Sequence, residues 1–274
     1  MEGGEGRMTL TGSIRKMQTR LAAPVSYTLP LGDATLPMND RLGEPIRIRF
    51  TGEISCIACG RAIKRTFVGG YCFPCSRSHP AADNCMVRPE TCHFALGTCR
   101  DPAWGEAQCM QPHTVYLANA SSLKVGITRG IEPIGRWIDQ GASQGLAIWR
   151  VANRLESGRV EVALKQYVGD RTNWRRMLKG PPEPVALAER RDEILARHAV
   201  EHPEQPLSGE ALPAAEAVSI VYPVLSYPEK VRAHDFGKEP LLEGTLVGVK
   251  GQYLILDTAV LNVRKFAGYH LEVD

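Results

Sequence analysis

All eight cysteines of this chain fall between positions 56 and 109, and no other feature restricts its possible folds as strongly. Thiols crowded this closely either pair as disulfides, stay as free buried thiols, or share metal ions. Cys56-Ile57-Ala58-Cys59-Gly60 and Cys72-Phe73-Pro74-Cys75 are two CxxC pairs. Each turn points two thiolates inward, and two such turns make a tetrahedral sulfur site at the distances zinc prefers. Gly60 suits a tight knuckle that needs an unhindered backbone, and the twelve residues between the pairs are enough for a hairpin. Downstream, Cys85, Cys92, Cys99 and Cys109 stand in a stretch rich in Pro, Gly and Asp that cannot build much apolar core. A second ion would supply that folding energy. Its expected ligands are these four cysteines, with His93 or His113 as alternatives to one of them. Residues 1–24 contain no continuous apolar run of the signal-peptide kind, and no stretch approaches the ~20 apolar residues of a membrane span. A cytoplasmic, reducing setting is therefore expected, which favours two zinc ions over disulfides.

The 274 residues, 43% hydrophobic and 23% charged, suit a globular chain of two modest domains or one with a large insert. A net charge of +3 proves no polyanionic partner; only clustered cations could do so. Met1 to Gly6 is glycine-rich and expected to be disordered. Residues 7–55 read as β-rich, with Ile46-Arg47-Ile48-Arg49-Phe50 alternating like a strand with one wet, basic face. The cysteine-rich module spans 56–112, an α/β core 113–200, a Pro/Glu/Ala-rich linker 201–217, and a second β-rich segment 218–274. Gly244 to Val249 and Gln252 to Asp257 read as a hairpin. The class is α+β, with the two β-rich ends expected to pair into one sheet or barrel.

Within the core, Thr114 to Ala118 and Leu123 to Arg129 are short Val/Ile/Tyr-containing runs either side of Asn119-Ala120-Ser121-Ser122, the pattern of a hairpin. A helix follows over Ile134–Gln140, then a third strand from Leu146 to Ala152. A further helix is expected with Ser157 as its N-cap and with Val160, Leu164, Tyr167 and Val168 on one apolar stripe. Glu161 lies beside that stripe, where a carboxylate can face a cleft. From Asp170 to Lys179, four cations and a tryptophan fall in ten residues. Arg171, Asn173, Trp174, Arg175, Arg176 and Lys179, with Arg129 from the hairpin, form the expected nucleic-acid surface, because guanidinium pairs with phosphate and indole offers a stacking face. The bland alternative is a solvated short helix with its tryptophan in the core.

The middle third of the chain resembles the GIY-YIG nuclease superfamily, especially the branch whose second motif reads Lys-(Ile/Val)-Gly-Ile-Thr. Val115-Tyr116-Leu117 stands for the first signature and Lys124-Val125-Gly126 for the second. Arg136 matches the arginine that follows, and Glu161 the glutamate of a later helix. The cysteine-rich module and this core together also look like an uncharacterised bacterial family, which implies a fold and no function. The resemblance implies a small core built on a three-stranded antiparallel sheet. It also implies a catalytic set in which Tyr116 orients water, Arg136 neutralises the scissile phosphate and Glu161 holds Mg2+ or Mn2+. Lys124 replaces the second tyrosine, so it either contacts phosphate or marks a site that binds without cutting. Three readings follow: a zinc-containing endonuclease acting on DNA or RNA, a non-catalytic nucleic-acid binder, and a zinc-ribbon scaffold for a protein partner. No membrane partner is expected.

Overall fold

The computed structural model describes residues 9–168 and 172–274; Met1 to Gly6 and Arg171 lie outside the described residues. The chain divides into two compact units, one comprising residues up to Ser76 together with Tyr222–Asp274, the other Arg77–Val221. Helices and antiparallel sheets are both present, so the class is α+β. Among the described residues no helix is long and apolar enough to cross a membrane.

The first unit opens with β1 (Leu10–Ser13), β2 (Gln18–Arg20), β3 (Ser26–Leu31), β4 (Ala34–Pro37) and the ten-residue β5 (Pro45–Ile54). Strands β2, β3 and β4 form their own antiparallel sheet. Successive strand side chains alternate between faces. Ile46 and Ile48 of β5 are accordingly buried, while Arg47 and Arg49 point outward to Glu243 and Glu272. A short helix, α1 (Phe73–Ser78), starts directly after Cys72.

In the second unit, single 3-10 turns lead to α2 (Pro102–Cys109). Its first turn is capped by Asp101, whose carboxylate accepts from Trp104 N at 2.9 Å. Strands β6 (His113–Asn119) and β7 (Leu123–Arg129) form a hairpin with Tyr116 opposite Gly126. Then follow α3 (Ile134–Asp139), β8 (Gln144–Val151), α4 (Arg154–Leu164), α5 (Trp174–Met177), α6 (Leu187–Glu201) and the two-residue strands β9 (Glu210–Ala211) and β10 (Val218–Ser219). β6 lies between β7 and β8, and every one of its residues is buried. Alternation sends Val115 and Leu117 into a cluster with Val160, Leu164, Leu187 and Ile194. Tyr116, one residue out of phase, meets the edge of Trp137, ring centroids 5.9 Å apart.

Two expectations are corrected here. The sheet has five strands, not three, because β9, from residues read as linker, and β10, from the start of the segment read as β-rich, both pair with β8. An edge strand leaves backbone groups needing partners, and Leu212 N donates to Ile148 O and Ile220 N to Ser143 O. Buried Arg191 fastens the same stretch by donating to Leu212 O and Pro213 O. The N-cap of α4 is Asn153, not Ser157. Asn153 Oδ1 accepts from Glu156 N at 3.0 Å, while Glu156 reaches back to Ala152 N at 3.1 Å. Ser157 sits a turn inside, its hydroxyl donating to Arg154 O.

The chain then returns to the first unit as β11 (Leu241–Lys250), β12 (Tyr253–Leu256), β13 (Val260–Asn262) and β14 (Tyr269–Val273). With β1 and β5 these make a six-stranded antiparallel sheet ordered β1-β14-β5-β11-β12-β13. Gln252 ties the turn after β11 to the N-terminal half, accepting from Met17 N at 2.8 Å and donating to Met17 O at 3.2 Å.

One close approach decides how α4 docks. A methyl group on Gly158 would strike the backbone of Pro89 and Glu90. Helix propensity alone predicts that Gly158→Ala stabilises by about 1 kcal/mol. Backbone cannot swing aside like a side chain, so overpacking should win. We predict a net loss of about 1–3 kcal/mol, read as a lower urea midpoint; a rise in the midpoint would show that α4 is not seated against this turn.

Candidate functional site

In the first unit, Cys56, Cys59, Cys72 and Cys75 come together with their sulfur atoms all within 4.8 Å of one another. The Cys59 and Cys72 sulfurs are 3.9 Å apart, close to the ~3.8 Å edge of a tetrahedron with Zn–S bonds of about 2.3 Å. The backbone builds each knuckle: Cys72 N donates to Cys56 Sγ at 3.2 Å and Cys75 N to Cys72 Sγ at 3.5 Å. Gly60, at φ 71°, closes the first turn by donating to Cys56 O. Burial raises the Cys56 thiol, but backbone N–H groups of Cys59, Cys72 and Ala58 outweigh it and bring it down to about 6. Cys75, hydrogen-bonded to Cys72, is pushed up to about 12. The two directions have different causes: backbone N–H groups stabilise the Cys56 thiolate, whereas the neighbouring thiols oppose a further ionisation at Cys75, as expected where clustered thiolates repel without a cation. The four-cysteine cluster is thus compatible with zinc.

The remaining cysteines lie in the second unit. Cys85, Cys92, Cys99 and Cys109 line one small hollow together with Asp83 and His93, with about 10 Å3 of free volume at its centre. Asp83 organises its rim, its carboxylate accepting from Cys85 N at 3.1 Å and pairing with Arg100 at 2.6 Å. Cys85, Asp83 and His93 offer ligand atoms within 4.8 Å of one another. His93 Nδ1 contacts Thr98 Oγ1 at 2.8 Å. His113 stands apart, buried at the start of β6 with Nδ1 on Gln111 O at 2.8 Å. Burial, with the Asp83 carboxylate adding to it, pushes the Cys85 thiol up to about 12, and burial also raises Cys109. Arg154, the first residue of α4, donates to Cys85 O and Met86 O at 3.2 and 2.7 Å, anchoring this loop to the core. Asp83 and Arg154 escape a reading of the cysteines alone, although Asp83, two residues before Cys85, is a visible signal.

The residues matched to the nuclease motif are close in charge but unequal in access. Burial raises the Tyr116 hydroxyl, opposed by the neighbouring Arg136 guanidinium, and Glu161 is near enough to act on it. Glu161 is likewise raised chiefly by burial, against the pull of Lys165 and Arg136. Arg136 is exposed. Tyr116, however, has no exposed surface. Its ring lies across Gly126, where a Cβ would come within 2.7 Å of the hydroxyl, and that hydroxyl donates to Gln140 at 3.2 Å. A phosphate cannot reach the phenol in this arrangement. Gln140 carries no motif that would have identified it. Lys124 is also buried, its ammonium donating to Thr172 Oγ1 at 2.8 Å.

Of the basic stretch, Arg175, Arg176 and Lys179 are exposed, as is Arg129 at the end of β7. The Arg175 guanidinium lies over the Trp174 ring at 4.2 Å. Met177 and Leu178 are buried and seat α5. Asn173 is the cap of α5, its Oδ1 accepting from Arg176 N at 3.1 Å and its N–H donating to Ser121 Oγ at 2.9 Å. Its side-chain oxygen is thus engaged in the cap, while the residue itself is exposed. Among the described residues Arg129, Arg175, Arg176 and Lys179 form no ion pair.

Neither the curated proteins nor the solved structures contain a match to this chain. A family model does match, over residues 43–271, a span that takes in both cysteine groups, the hairpin and the closing strands. The chain belongs to the family described as a protein of unknown function, DUF2797.

Proposed function

We propose that this protein is a metal-stapled nucleic-acid binder whose GIY-YIG-like core holds DNA or RNA without cutting it. The observation that carries the reading is the surface of α5, where a guanidinium already stacked on Trp174 stands beside two further exposed cations. Guanidinium and ammonium groups pair with phosphate, and an indole ring can stack a base. Hydrolysis is disfavoured by Tyr116, which is enclosed, and by Lys124, which fills the place of the second tyrosine. A second reading, cleavage with Mg2+ or Mn2+ on Glu161, is supported by the electrostatic proximity of Tyr116, Arg136 and Glu161. Such an ion would neutralise the half-buried carboxylate and stabilise a leaving oxygen. Metal is proposed at both cysteine groups: Cys56, Cys59, Cys72 and Cys75 would hold one zinc ion, and Cys85, Cys92, Cys99 and Cys109 another. Zinc there would supply folding energy to loops with little core of their own.

Metal analysis of purified protein should return two zinc ions per chain, falling to one in either Cys72→Ser or Cys92→Ser. A Cys92→Ser protein that keeps the full metal content would remove the second site. Binding to labelled duplex DNA should weaken with salt. Four phosphate contacts give a log–log slope of roughly −3.6, or about a hundredfold between 50 and 200 mM salt. Replacing Arg175 and Arg176 by alanine should lower that slope by about 2. Affinity that ignores salt would leave the protein-scaffold reading in its place. Incubation with Mn2+ should leave the nucleic acid intact; cleavage that vanishes in Glu161→Ala would establish the second reading instead.

A further inference from the structure

The surface of the first cysteine cluster is itself unusual. From Ser55 to Cys75 the chain contains Arg61, Lys64 and Arg65 but no aspartate or glutamate. None of these three cations forms an ion pair among the described residues, and all three are exposed. Beside them Phe73 is 58% exposed and Val68 62%. Phe73 packs edge-on against Phe67, ring centroids 5.3 Å apart, and the Arg65 guanidinium lies over Phe67 at 5.0 Å. The segment is held rigid from within. Phe67 N donates to Tyr71 O at 2.8 Å, and Phe73 is flanked by Cys72 and Cys75 of the cluster.

A phenylalanine left in water forfeits the gain of burial, and here it is fixed in position on a segment whose charged side chains outside the cysteine cluster are all cationic. The geometry points to a base-stacking platform for single-stranded DNA or RNA, with a base on the open face of Phe73 and the backbone phosphates on Arg61, Lys64 and Arg65. Unpaired bases present a π-face that any sequence can stack on an aromatic ring, whereas bases in a duplex are already stacked on each other. Charge complementarity selects this occupant over an apolar protein surface, since three cations without counter-charge would be desolvated against such a partner at a cost. Because the segment is already ordered, little conformational entropy is lost on contact. The proposal rests on the nucleic-acid reading above and deepens it by naming a second contact and the form of the strand.

Fluorescence anisotropy with labelled oligodeoxythymidylate, oligouridylate and a duplex of equal length tests it on the full zinc-loaded chain. Phe73→Ala should weaken single-strand binding roughly tenfold, the loss of one base stack, and leave duplex affinity unchanged. Phe73→Trp should restore single-strand binding, and zinc content should be the same in both variants. Arg65→Ala should reduce the salt slope by about 0.7 on either kind of single strand. With 2-aminopurine in the strand, the quenching on binding should be lost in Phe73→Ala. Equal single-strand affinity in Phe73→Ala and the parent protein would overturn the platform while leaving the α5 surface standing, as would an equal loss on strand and duplex. If the parent protein binds no nucleic acid of any form, both readings fall.

Discussion

Seven consecutive residues of β6, His113 to Asn119, have no exposed side, and the arrangement around them follows from that. A strand sealed on both edges and both faces must give every backbone group a partner and every side chain a fitted neighbour. β7 and β8 supply the first requirement. The second is met by unlike devices: an aliphatic cluster under Val115 and Leu117, and, for Tyr116, a glycine opposite, the edge of Trp137 and the Gln140 amide. Gly126 is needed there because any side chain would occupy the space of the phenol. The burial that stabilises the sheet also withdraws Tyr116 from solvent and raises its hydroxyl. Packing and proton chemistry at this residue therefore pull in opposite directions, and packing dominates.

The cysteine-bearing segments obey a different economy. They consist of single turns and short helices with few buried side chains, too little apolar surface to offset the entropy of ordering them. Sulfur is what concentrates inside them. Thiols packed together are stable either protonated or around a cation, and the upward shifts at Cys75, Cys85 and Cys109, against the downward one at Cys56, are those of thiols that do not ionise together. Binding energy at such a site becomes folding energy. Arg154 and the glycine at 158 then couple the second of these segments to α4, so that order in the loop and seating of the helix depend on each other.

How much of this was legible beforehand varies with the range of the interaction. The hairpin of β6 and β7 is local: two β-branched runs and a polar turn declare it. The CxxC pairs are local as well, and their spacing already implies convergence. The cap of α4 is also local: Asn153 followed three residues later by Glu156 is a start signal, and it competes with Ser157, itself a good capping residue. The burial of Tyr116 was not readable, because a tyrosine on a strand faces solvent or core according to which neighbours the strand acquires, and β8 arrives from twenty-five residues away. Nor was β9, whose two-residue pairing leaves no periodicity to detect. The capping role of Asn173 was not readable either, since it depends on where α5 begins.

Charge placement is the remaining step. Cations and anions are nearly equal in number, 33 against 30, so basic surface arises here by segregation and not by excess. Much of the charge is neutralised locally, as in Arg47 with Glu243, Arg197 with Glu201 and Lys265 with Asp235. Against that background, the cations along α5, which have no ion-pair partner among the described residues, repel one another over the ~8 Å that salt leaves unscreened. Exposed ion pairs contribute little, about 0–1 kcal/mol each, so supplying acidic partners to these cations would do little for the fold. What their absence preserves is a field, and a field of this sign is relieved by a polyanion. The stacking of Arg175 on Trp174 adds that one guanidinium is already oriented, so that its pairing with a phosphate forfeits less side-chain freedom than a mobile arginine would.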